Sequence, residues 1–260
     1  MLTPGLVSVS FRPLTYEKII EIARAAGLRS VEWGGDIHVP AGDAAKAAAV
    51  YQATAAAGLA VAAYGSYYKL GTHEDPAGEW QRVLASAAAL HAPVVRLWAG
   101  VKASAAVGEA ERAALAREAQ SAADAAADRG ITLVFECHRN TLTDDWRSTL
   151  RLLEEIGRPN VKTYWQPNEE RDFAYNRQAL AALLPHVVNL HVFHWPVPDT
   201  RLPLREGAAD WRAYLRLAAS DGRDRACLLE FMPDDRPETL PAEAATLRAL
   251  LEETREPVRS

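Results

Sequence analysis

Glu136 and Glu230 each close an otherwise apolar run, Ile131-Thr132-Leu133-Val134-Phe135-Glu136 and Ala226-Cys227-Leu228-Leu229-Glu230-Phe231. A carboxylate taken out of water without a partner costs several kcal/mol or shifts its pKa until it is neutral. A third apolar run between them, Val187–Phe193, holds His191. Two carboxylates and an imidazole at the ends of core strands have the chemistry of ligands converging on one cation. Period-two alternation puts Glu136 and His138 on one strand face and Cys137 on the other. It likewise aligns Asn189, His191 and Phe193, and Leu228, Glu230 and Met232.

The elements that must position these residues alternate along the chain. Strands are expected at Leu6–Phe11, Ser30–Trp33, Ala60–Tyr64, Val94–Trp98, Ile131–Glu136, Val161–Trp165, Val187–Phe193 and Ala226–Phe231. Helices are expected at Tyr16–Ala26, Ala44–Ala57, Glu79–Leu90, Glu109–Asp128, Asp145–Ile156, Asn176–Leu184, Trp211–Ala219 and Ala242–Glu253. Asp75-Pro76 offers a cap and a helix-compatible proline, and Gly27, Gly58, Gly130 and Gly157 stand where helices should end. Eight strand-then-helix units in 260 residues match the count and length of a (β/α)8 TIM barrel, here one domain over residues 1–260. A doubly wound open sheet carries a Gly-rich phosphate turn after its first strand, and Ser10-Phe11-Arg12-Pro13 is nothing like one. In a barrel the active site lies at the C-terminal strand ends. The polar residues there are Glu32, His38, Arg96, Glu136, His138, Gln166, Asn168, His191, His194 and Glu230. The last 20 residues read as an amphipathic outer helix and a frayed tail.

Composition narrows the function classes. A net charge of −5 argues against a nucleic-acid or anionic-membrane surface. The apolar stretches are far short of a membrane span, and the N-terminus lacks the pattern of a secretion signal. Cys137 and Cys227 are the only cysteines, both in strand-like runs, which fits a reduced, cytoplasmic protein.

Several motifs in order resemble one family. They are Val31-Glu32-Trp33-Gly34-Gly35-Asp36-Ile37-His38, Val95-Arg96-Leu97-Trp98-Ala99-Gly100, Phe135-Glu136-Cys137-His138, Tyr164-Trp165-Gln166-Pro167-Asn168, Asn189-Leu190-His191-Val192-Phe193, Arg201-Leu202-Pro203-Leu204-Arg205-Glu206-Gly207 and Leu228-Leu229-Glu230-Phe231. Together they resemble the xylose isomerase-like TIM barrels, the sugar phosphate isomerase/epimerase superfamily, over essentially the whole chain. That resemblance implies one divalent cation (Mn, Mg, Co or Zn) held from strands five to eight, by Glu136, Gln166, His191 and Glu230. It implies that Glu136 and Glu230 are also the catalytic acid and base, moving a proton through a metal-stabilised enediolate of a sugar, keto-sugar or polyol derivative. The family has Asp where this chain has Gln166; a carboxamide oxygen binds a hard cation without formal charge, so weaker metal affinity is expected.

Arg96, His138 and Arg201 would donate hydrogen bonds to the substrate, and Trp33, Trp98, Tyr67 and Trp195 would wall it. Glu32 and His38 either contact substrate or cap the strand-two loop, and Arg96 has a second reading as a barrel-interior salt bridge. The partner would be a small carbohydrate, with no nucleic acid or membrane, and the resemblance suggests a homo-oligomer. Alternatives are a lyase or dehydratase acting on a keto-inositol or oxidised glycoside, and a metal-free sugar-binding barrel. An abasic-site endonuclease is disfavoured by the few strand-end histidines and the acidic charge.

Overall fold

Parallel strands covered on both faces are apolar along their length, and eight such segments pair in sequence order into a barrel that closes from the eighth back to the first. The structure is a computed structural model and describes residues 1–255. Its strands are β1 (Leu2–Val7), β2 (Ser30–Gly34), β3 (Ala60–Lys69), β4 (Val94–Trp98), β5 (Thr132–Phe135), β6 (Val161–Trp165), β7 (Val187–Val192) and β8 (Arg225–Leu229). The helices between and after them are α1 (Tyr16–Ala25), α2 (Ala44–Ala56), α3 (Pro76–Ala89), α4 (Glu109–Ala127), α5 (Trp146–Ile156), α6 (Phe173–Leu183), α7 (Ala208–Ala219) and α8 (Leu240–Glu253). The fold is a (β/α)8 TIM barrel, as expected. The frayed tail expected after α8 lies beyond Arg255, outside the described residues. No described helix is long and apolar enough to cross a membrane.

Alternation along the strands separates two apolar compartments. Leu6, Val31, Trp33, Val95, Leu97, Leu133, Phe135, Trp165, Leu190, Cys227 and Leu229 face outward into the layer shared with the helices. Val7, Val9, Ala63, Val94, Val134, Tyr164 and Leu228 form a separate cluster that fills the barrel interior. Moving two residues toward the C-terminal end from Val94, Val134, Tyr164 and Leu228 reaches Arg96, Glu136, Gln166 and Glu230. The site therefore stands as a polar layer on an apolar plug, a consequence of the strand period alone.

Several expected boundaries differ, three of them as follows. β1 runs Leu2–Val7 rather than Leu6–Phe11, because Leu2 to Leu6 take a continuous register with Arg225 to Leu229; Ser8–Phe11 then coil into a 3-10 turn. β3 continues past Gly65 to Lys69. α3 begins at Pro76, three residues earlier than expected, where the Asp75 carboxylate accepts the Gly78 amide at 3.0 Å.

A candidate metal centre at the floor of a cavity

Four strand ends bring Glu136, Gln166, His191 and Glu230 together. His191 on β7 is fully buried, level in register with Leu228 and so one step deeper than Glu230. Its Nδ1 faces upward to three oxygens: Gln166 Oε1 at 2.8 Å, Glu230 Oε2 at 3.2 Å and Glu136 Oε1 at 3.9 Å. Glu136, His191 and Glu230 form a buried group whose ligand atoms all lie within 4.8 Å of one another, close enough to hold one metal ion. Glu136, Gln166 and Glu230 open onto a cavity of about 290 Å³, the lower end of the small-ligand range.

The carboxylates are tied into a buried chain of charge. Arg96 donates Nε to Glu32 Oε1 at 2.6 Å and Nη1 to Glu136 Oε2, which also accepts the Trp98 indole N–H at 2.6 Å. Burial alone would raise the pKa values of Glu32 and Glu136, but the Arg96 guanidinium, then the His191 imidazolium, outweigh it and hold both down, Glu32 to about 2. Burial would lower Arg96, yet Glu136 and Glu32 hold it well above its usual value. Burial likewise opposes the charged form of His191, but Glu230 and Glu32 overcome it and push its pKa up to about 10.

The donor set fits a divalent cation. Three carboxylates (Glu32, Glu136, Glu230) against one guanidinium (Arg96) leave two negative charges once His191 is neutral. Oxygen and imidazole donors suit Mn, Mg, Co or Zn, and no thiolate intrudes. Cys137 donates its thiol to the Tyr164 carbonyl at 3.1 Å, and burial pushes its pKa up to about 12.

The cavity walls agree in part with the sequence-based expectation. Trp98 and His138 stack, with centroids 4.6 Å apart and planes 21° apart. His138 Nδ1–H donates to the Arg139 carbonyl at 2.7 Å, which leaves Nε2 as the acceptor. Arg201 lines the cavity, lies 4.6 Å from the Phe231 ring centroid and pairs with Asp235. Tyr67 and Trp195 also line it.

Glu32, Trp33 and His38 are not brought to the cavity. Glu32 is sealed inside the barrel beneath Arg96 and His191, and Trp33, one residue on, necessarily faces the helix layer. His38 Nδ1 bonds Ser8 Oγ at 3.0 Å and its Nε2 bonds the Leu14 carbonyl at 3.1 Å. Burial lowers its pKa, as suits a neutral structural imidazole. His194, after β7, packs against Gly207 outside the cavity.

Sequence reasoning gave no role to Arg12, Arg139, Glu169 and Phe231, all of which line the cavity. Arg12 donates Nη2 to the Tyr67 hydroxyl at 2.7 Å and Nε to Asp36 at 2.8 Å. Tyr67 and Phe231 hold left-handed backbones, with φ 59° and 49°. Such strain in bulky residues gathers at functional sites. A signal for Arg12 did exist, since it follows β1 at the end of the barrel that carries the site.

Comparison with known proteins gives a consistent fold. The family model described as xylose isomerase-like TIM barrel matches residues 20–250. No curated protein sequence matches the chain. Among solved structures it is similar to the probable 3-DHS dehydratase AsbF involved in petrobactin synthesis from Bacillus anthracis, with TM-score 0.79 and 21% identity over 95% of this chain and 99% of that one. A xylose isomerase domain protein from Alicyclobacillus acidocaldarius gives TM-score 0.75 and 20% identity over 98% and 100% of the two chains. An L-ribulose 3-epimerase gives TM-score 0.75 and 17% identity over 98% and 96%.

Proposed function

The chain belongs to the xylose isomerase-like TIM barrel family, and from that premise we propose that it is a divalent-cation-dependent isomerase or epimerase of a sugar, keto-sugar or polyol derivative. The observation that carries this reading is the convergence of Glu136, Gln166, His191 and Glu230 on one point at the floor of a cavity. A cation bound there supplies positive charge to neighbouring carbonyl and hydroxyl oxygens, so that the proton on the adjacent carbon becomes acidic.

The chain's own residues do the rest. Glu230 faces the cavity without an arginine or tryptophan donor on its carboxylate, so it takes the proton. Glu136, held charged by Arg96 and Trp98, carries ligand charge. In an isomerisation Glu230 gives the proton it took back to the adjacent carbon, and in an epimerisation Glu136 would start protonated and give that proton to the other face. His138 Nε2 and the Arg201 guanidinium orient hydroxyls, and Trp98 and Tyr67, which line the cavity, keep water from the reacting carbon.

The unequal ties of the two glutamates favour a second reading, a lyase. Elimination needs one free base and a leaving group, whereas epimerisation asks both carboxylates to exchange protons. Both chemistries occur in the names of structurally similar proteins, a dehydratase and an epimerase.

Metal analysis of the purified protein, followed by incubation with a panel of keto-sugars in deuterium oxide, tests the reading. Deuterium incorporated with the sugar skeleton intact supports the isomerase, and loss of water with a new double bond supports the lyase. Neither product, with no divalent ion bound, removes both.

Cation uptake is expected to depend on pH with a defined sign. The His191 pKa is raised from 6.5 to about 10, so the stability of its imidazolium pairing is fully present below pH 6.5 and is lost as pH rises through about 10. A cation needs the Nδ1 lone pair, so binding expels a proton and the apparent affinity rises by about tenfold per pH unit up to about pH 10. Calorimetric titration with Mn²⁺ in buffers of different ionisation enthalpy checks this. Uptake with no proton released would mean that Nδ1 is not a ligand.

A further inference from the structure

Glu32 is fully buried, yet one of its oxygens has no hydrogen-bond partner. Oε1 accepts the Arg96 Nε–H at 2.6 Å. Oε2 instead lies 3.5 Å from His191 Nε2, which is itself buried and without a hydrogen-bond partner. Two facing orphans of complementary chemistry inside a barrel are an unfinished hydrogen bond, since leaving both unsatisfied would cost more than a shift of a few tenths of an ångström. Closing it puts a proton on Nε2, because a carboxylate can only accept. A cation that displaces the Nδ1 proton then meets a lone pair pointing toward Gln166, Glu230 and Glu136.

We propose that Glu32 is the positioning residue of the candidate metal centre, fixing the tautomer and ring plane of His191 so that Nδ1 is the ligand atom. The proposal rests on the reading of His191 as a cation ligand. With its other oxygen Glu32 also anchors Arg96, which holds Glu136. One carboxylate, sealed from the cavity, thereby sets the orientation of two of the candidate ligands. Space is made for it: a Cβ on Gly65 would stand 2.8 Å from Glu32 Oε1 and 2.6 Å from Arg96 Nη2. Nearby, Tyr164 meets the His191 ring edge-on, with centroids 5.1 Å apart at 87°, and limits its rotation.

Glu32→Gln is the discriminating variant. Arg96 can only donate, so the new amide turns its oxygen to Arg96 and its NH2 to His191. Nε2 must then accept, which moves the imidazole proton to Nδ1 and blocks ligation. Zn²⁺ affinity, measured by calorimetry, is expected to fall about 10- to 100-fold, with a cooperative thermal transition showing that the barrel is intact. Long-range proton–nitrogen correlation of Zn²⁺-loaded, isotope-labelled wild type is expected to show His191 protonated at Nε2 and metal-bound at Nδ1.

Equal Zn²⁺ affinity in a folded Glu32→Gln, to within about twofold, overturns the proposal, as does a wild-type spectrum with the proton on Nδ1. If the variant does not fold, the wild-type spectrum decides. Wild type that binds no Zn²⁺ overturns the cation reading and this proposal with it. Wild type that binds while the variant is unaltered removes only the role of Glu32.

Discussion

Glu230→Gln is expected to slow solvent-deuterium exchange into a keto-sugar substrate by about 10²- to 10⁴-fold, the usual worth of a positioned general base. The carboxylate is buried, opens onto the cavity and faces only His191 Nδ1 at 3.2 Å, so nothing but the imidazole competes for its lone pairs. A glutamine there keeps the volume and the ligand oxygen but cannot take a proton. Glu136→Gln should behave differently. It removes the charge that Arg96 and Trp98 satisfy, so its effect should fall on stability and cation affinity as well as on rate. Exchange measured at saturating cation separates the two. If Glu230→Gln exchanges at the wild-type rate while Glu136→Gln does not, the base is Glu136 and the assignment of roles is reversed.

Arg96→Met should cost about 3–5 kcal/mol of folding stability, the range for breaking a buried ion pair by removing one partner. Methionine nearly matches the length of the arginine stem, so the loss comes from charge rather than volume. Glu32 and Glu136 would be left buried with His191 as their nearest cation. Both carboxylates titrate low because of Arg96, so the stability it provides is present above their usual value of 4.5 and lost as pH falls below it, for Glu32 toward about 2. Urea unfolding of the variant at neutral pH and at about pH 4 checks the account: the gap between variant and wild type should narrow at the lower pH. A gap independent of pH would mean that Arg96 acts by packing alone.

How far the chain discloses these features depends on which interaction sets each one. Eight apolar runs separated by alanine-rich helices leave little but a barrel, and the strand period brings Glu136, Gln166 and Glu230 to one layer, with His191 one step below it. The same period already separates Glu32 from Trp33, so the two could never both have faced a substrate, and the partners that bury Glu32 come from β4 and β7, far away in sequence. Gly65 looks like a strand terminator in isolation; the Arg96–Glu32 pair beside it explains why a glycine stands there, and pairing with β4 carries the strand on. Arg12 and Phe231 were hidden for another reason. Their placement follows from loop backbone conformation, which carries no periodicity.

Tyr67 and Phe231 also bear on how this barrel could be improved or spoiled. Each occupies a backbone region that glycine enters freely, so a glycine at either position would relieve local strain while deleting a cavity wall. Selection for heat tolerance alone would therefore favour losing the aromatic rings, and selection for turnover would favour keeping them. A library at these two positions, sorted separately for thermal survival and for product, should yield diverging populations, and the distance between them would measure how much stability the protein forgoes to keep its cavity walls.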